Sequence, residues 1–109
     1  MREDDFREWL ENTYVTKAGK PLQKRPIGDA VSRCKRVGKH EGDLDQLFKR
    51  DSMQDLLDRL TYTRDEQKAN NPPRHNIKIE GDIYSGTSSL RSALNKYKKF
   101  CECRTNFSS

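Results

Sequence analysis

The segment Thr87–Cys101, TSSLRSALNKYKKFC, fits an α-helix with one apolar face. Leu90, Ala93, Leu94, Tyr97 and Cys101 recur at i, i+3, i+4, i+7 and i+11, the spacing that brings side chains to a single stripe. Thr87 or Ser88 supplies an N-cap hydroxyl. Phe100 falls at the margin of the stripe. Lys99 projects straight out, with Lys96 and Lys98 on the two flanks. Tyr97 is therefore a core residue rather than a stacking platform, and the helix is a structural element with a basic back. After it, residues 104–109 (RTNFSS) read as a frayed tail.

The same periodicity runs backwards through the chain. EDDFREWLENTY, residues 3–14, places Phe6, Trp9 and Leu10 on one face, with Glu3, Asp4 and Asp5 in the first turn, where the helix dipole favours acids. A loop follows, VTKAGKPLQKR. A second helix has Pro26 in its first turn and Gly38 just past its end, with Ile27, Ala30, Val31, Cys34 and Val37 as its stripe. Leu44, Leu47 and Phe48 make a short helix or turn. In DSMQDLLDRLTY, Ser52 reads as the cap and Met53, Leu56, Leu57 and Leu60 as the stripe. RDEQKAN extends that helix or adds a turn. Residues 70–86 carry Pro72–Pro73, Gly81 and Gly86 and form one long loop, with room for an extended piece at Ile77–Ile79. The expected fold is all-α: one domain over residues 1–109, a compact bundle of four to five short helices. Its core is Phe6, Trp9, Leu10, Ile27, Val31, Cys34, Leu47, Phe48, Leu56, Leu57, Leu60, Leu90, Leu94 and Tyr97.

Composition agrees. Only 31% of the 109 residues are hydrophobic while 36% are charged, which suits helices that bury a stripe and not a sheet buried on both faces. No segment reads as a membrane span or a secretory signal, and three cysteines without a signal imply a reducing, cytoplasmic setting. The net charge of +5 favours an acidic partner and excludes a DNA mimic.

Catalysis is not expected. Cys101 and Cys103 project about 200° apart on a helix, and His40, His75 and Cys34 match no zinc spacing, so no metal or cofactor is implied. GDIYSGTSS lacks the lysine spacing of a phosphate-binding P-loop. Two histidines in polar loops offer no base beside a nucleophile.

Basic residues are the clearer signal. Residues 17–40 hold eight basic side chains and one acid, a net +7. Lys17, Lys20, Lys24 and Arg25 fall in the loop, and Arg33, Lys35, Arg36 and Lys39 on the second helix. With Lys98 and Lys99 of the last helix they form the candidate nucleic-acid-binding set, gripping phosphates through counterion release.

The order FREWLE, a basic amphipathic helix, DSMQDLLDRL and TSSLRSALNKYKKFCE resembles the SAM-like core-binding domain of tyrosine recombinases, the helical N-terminal domain of phage integrases. The resemblance covers about Phe6 to Glu102 and lies in layout. It implies a helical clamp on duplex DNA, rather than RNA, and a backbone-binding role for Lys17, Lys20, Lys24, Arg25, Arg33 and Arg36. No recombinase catalytic residues follow, so that activity is not implied. The expected function is a non-enzymatic DNA-binding accessory protein of a phage or mobile element. The alternative is a small adaptor or inhibitor that binds a host protein.

Overall fold

The computed structural model describes residues 1–16, 19–75, 77–79 and 81–108, with side chains up to residue 103. Six helices are found among them: α1 (Glu3–Asn12), α2 (Lys24–Glu41), α3 (Leu44–Asp51), α4 (Gln54–Arg59), α5 (Arg64–Lys68) and α6 (Ile83–Ser108). The all-α bundle is therefore observed. RDEQKAN is a helix of its own because α4 ends at Leu60 and Thr63 starts a new one. The Thr63 side chain accepts from the Glu66 N–H at 3.1 Å while the Glu66 carboxylate receives the Thr63 N–H, a reciprocal capping box that starts α5 afresh.

α2 and α6 form the central pair, and α1 lies across both. The expected stripes meet here. Ile27, Ala30, Val31, Cys34 and Val37 of α2 are buried, as are Leu90, Ala93, Leu94, Tyr97, Phe100 and Cys101 of α6. Phe6 and Trp9 of α1 close an aromatic cluster. The Phe6 ring meets Tyr97 edge-on at 5.0 Å and Phe100 at 5.6 Å, and Trp9 meets Phe100 at 5.9 Å. Phe100 is thus central rather than marginal, because α1 covers the flank of α6 that a lone wheel leaves exposed. Leu47 and Phe48 are only half-buried; Leu44 and Met53 take the deep positions from α3 and the turn after it.

A polar clasp fixes these elements in register. The Tyr97 hydroxyl donates to Asp45 Oδ1 at 2.6 Å and accepts the Arg2 N–H at 3.0 Å. The Arg2 guanidinium reaches the same carboxylate at 3.3 Å. One buried phenol thereby joins the start of α1, the start of α3 and the middle of α6. Burial, then the hydrogen bond to Asp45, pushes the Tyr97 pKa well above the ordinary tyrosine value, so the phenol stays protonated and keeps donating.

Several local readings are corrected. α2 does not stop at Gly38; it continues to Glu41 and is ended by Gly42, whose φ of 106° only glycine adopts readily. Lys24 and Arg25 are accordingly in the first turn of α2, not in the loop. Ser52 does not cap α4. Ser52 and Met53 both take left-handed φ, 57° and 62°, and the Asp51 carboxylate accepts the Asp55 N–H instead. Such a pair costs about 1–2 kcal/mol per residue, and the complete burial of Met53 offsets it.

α6 begins one turn earlier than Thr87. Asp82 is its cap, with Oδ2 accepting from the Ser85 N–H at 3.0 Å and from the Ser85 hydroxyl at 2.7 Å. Thr87 is then inside the helix and buried, and its hydroxyl meets His75 Nε2 at 2.9 Å. The loop shortens to residues 69–82 and forms no strand among its described residues; it lays Ile77 into the core and Ile79 against Gly86. Gly86 is there for clearance: a Cβ would sit 2.3 Å from Ile79 Cγ2. Gly86→Ala should therefore lower stability by about 1–3 kcal/mol through overpacking, although alanine is the better helix former. Chemical denaturation of Gly86→Ala with and without Ile79→Ala checks this, because the second change should relieve the clash.

Candidate nucleic-acid interface

The cations expected to form one patch are sorted by the fold into different surroundings. α2 carries positive charge around most of its exposed arc, so its neighbours decide which way each charge serves. Lys35 turns to α1, where Nζ lies 2.9 Å from Glu3 Oε1. Lys39 lines the same groove with Glu3 and Asp43. That side is mixed in charge: Lys35 is paired with Glu3, and Lys39 shares the groove with acids. The Arg36 guanidinium donates to the Lys78 carbonyl and ties α2 to the loop. Lys98 leaves α6 about 200° from Lys96, on the opposite flank. Lys20 is exposed beside the turn in which Val15 and Pro21 bridge. Lys17 lies outside the described residues.

Lys24 and Arg25 occupy the first turn of α2, with no acid there and no side-chain cap from Gln23. Cations at a helix N-terminus work against the dipole by about 0.3–1 kcal/mol each when exposed. An external anion would relieve that cost.

Arg33 belongs to a different group. It lies on the α6 side of α2, close enough to Lys96 to perturb it. On α6, Ser88, Arg91, Ser92, Asn95, Lys96 and Lys99 share the outward face, and with Tyr14 from the segment just after α1 they line a groove of about 290 Å³. The groove contains three cations, three hydroxyls and one amide, and no carboxylate. Sequence explains this: between Asp82 and Glu102, α6 carries no acid at all, while Arg91, Lys96, Lys98 and Lys99 fall within that span. Among the described residues, ion pairs within 4.0 Å engage Arg2, Lys35, Arg50, Arg59 and Arg74. Arg33, Arg91, Lys96 and Lys99 enter none.

Lys96 is the inner member of the groove. It is half-buried, its Nζ donates to Ser92 Oγ at 3.2 Å, and it stands 5.9 Å from the centre of the Tyr14 ring. Desolvation holds its pKa below the ordinary lysine value, and the like charges of Arg33 and Lys99 add to the effect. Cys34 is the one neighbour that would oppose this, but burial pushes its thiol up to about 12, so at neutral pH it bears no charge.

The wheel of α6 assigns its back to solvent but does not reveal the groove, because the Tyr14 wall comes from another element. The legible signal was the carboxylate-free run, which a charge tally by blocks averages away. Other polar residues have structural roles. Tyr62 is buried and donates to the Asn71 carbonyl at 2.6 Å. His75 is buried rather than loose in a loop, and desolvation lowers its pKa, with Glu41 opposing and Arg59 reinforcing. Among the described residues no group of three or more His, Cys, Asp or Glu converges as a metal site, and no helix is long and apolar enough to cross a membrane. The chain matches no family model, no curated protein and no solved structure.

Proposed function

We propose that the protein is a non-enzymatic binder of the nucleic-acid backbone, duplex DNA before RNA, which contacts phosphates through the ridge made by Arg33, Arg91, Lys96 and Lys99. The observation that supports this best is the acid-free outer face of α6, where cations stand among hydroxyl and amide donors without internal ion pairs. Phosphate oxygens accept from all of these groups. Lys24 and Arg25 of the first turn of α2 stay outside the ridge: Lys24 leaves the helix opposite Arg33, and the exposed Asp29 lies between Arg25 and Arg33 on the same side. The α2–α6 ridge is favoured over the basic loop and second helix because Lys35 and Arg36 already serve contacts within the fold and Lys39 shares its groove with Glu3 and Asp43. The same role fits the DNA-clamping helical domain that the layout resembles.

Four phosphate contacts give a slope of about −4 for log K against log salt, so duplex affinity should fall roughly 100-fold between 50 and 200 mM salt. Fluorescence anisotropy with a labelled duplex of arbitrary sequence measures this. Changing Lys99 to Ala should reduce the slope by about one. Binding that is insensitive to salt would overturn the reading and favour a protein partner.

A further inference from the structure

We propose that Lys96 is a modification site, the chain's preferred acceptor of an acyl group from small acyl phosphates. Three features converge on it. Its amine is recessed and half-buried, held by Ser92 at 3.2 Å in one orientation above the Tyr14 ring rather than free in solvent. It shares a groove of about 290 Å³, open to solvent, with Arg91 and Lys99, whose charges can hold a phosphate. The groove has no carboxylate to repel that phosphate. An acyl phosphate anchored there presents its carbonyl carbon to the Lys96 amine.

The step balances simply. The lysine must first be neutral, and its surroundings help: desolvation and the adjacent charges of Arg33 and Lys99 favour loss of the proton to solvent. The nitrogen lone pair attacks the acyl carbon, a C–N bond forms, the C–O bond to phosphate breaks, and inorganic phosphate leaves. The nitrogen gives up its second proton to solvent. Arg91 and Lys99 stabilise the departing charge. The product is an amide that carries no charge.

Lys98 is the internal control. It is two residues away on the same helix and half-buried, yet it is not part of the groove. The consequence for binding rests on the proposed function: acylation removes the innermost charge of the ridge and should weaken the grip on phosphates.

The test is timed incubation of the full chain with acetyl phosphate, followed by peptide mass mapping. Lys96 should be acetylated several-fold faster than Lys98 or Lys24. Arg91→Gln should slow Lys96 acetylation by acetyl phosphate but leave its acetylation by an uncharged activated ester unchanged. Equal rates at Lys96 and Lys98 would overturn the proposal. So would a Lys96 preference that Arg91→Gln leaves intact, because the groove would then not be holding the phosphate. Duplex binding by the acetylated protein separates the two claims: selective acetylation with unchanged affinity supports the acceptor site and counts against the nucleic-acid reading.

Discussion

Replacing Phe6 with alanine is expected to cost about 3–5 kcal/mol, a large part of the 5–15 kcal/mol that holds a domain of this size together. Phe6 is fully buried between α1 and α6, with Tyr97, Phe100 and Trp9 around it at centroid distances of 5.0, 5.6 and 6.4 Å. Truncation removes the transfer free energy of the ring and leaves a cavity. How much of that cavity collapses sets where in the range the value falls. Tyr97 cannot move in freely, because its hydroxyl is held at 2.6 Å by Asp45 and at 3.0 Å by the Arg2 N–H. Phe100 and Trp9 pack edge-on against each other at 5.9 Å. The loss should therefore lie near the upper end. Urea denaturation followed by the fluorescence of Trp9, the single tryptophan, reads it directly. The midpoint should fall sharply with little change in slope. Phe6→Leu, which keeps most of the volume, should cost less than about 1.5 kcal/mol. A loss under about 1 kcal/mol for Phe6→Ala would mean that α1 does not close the core as described.

What the sequence revealed follows from the range of each interaction. Stripes on α1, α2 and α6 were legible because helical burial is periodic, and Phe6, Ile27, Val31, Leu90 and Leu94 are buried as the spacing requires. Helix ends were less so. Gly38, Ser52 and Thr87 each carry the right chemistry for a terminus, but Gly42, Asp51 and Asp82 compete for the same role a few residues away and prevail. Propensity alone does not rank two adequate caps. The long-range pairings were hidden altogether. Nothing near Tyr97 announces Asp45, and nothing near Gly86 announces Ile79. The candidate site has both characters. Its cations could be named from composition, but Lys35 and Arg36 are diverted by Glu3 and the Lys78 carbonyl, which only the packing of α1 and the loop against α2 brings close.

That sorting makes a test that net charge cannot mimic. The triple variant Arg33→Gln, Arg91→Gln, Lys99→Gln and the triple variant Lys35→Gln, Lys39→Gln, Lys98→Gln each take the formal charge from +5 to +2. The first removes three members of the ridge. The second removes one lysine already paired with Glu3, one that shares its groove, and one from the far flank of α6. If phosphates sit on the ridge, each lost contact forfeits its counterion release, and the first triple should bind duplex DNA about 100-fold more weakly near 0.15 M salt, with the salt slope reduced by about three. The second triple should lose far less, because long-range attraction alone is screened over roughly 8 Å at that ionic strength. Exposed cations contribute little to folding, so circular dichroism and thermal midpoints should stay close to the parent for the ridge triple. Equal losses in the two triples would show that binding follows overall charge and that the ridge is no interface. A larger loss in the second would move the contact surface to the α1–α2 groove, where Lys35 would have to leave Glu3 to meet the ligand.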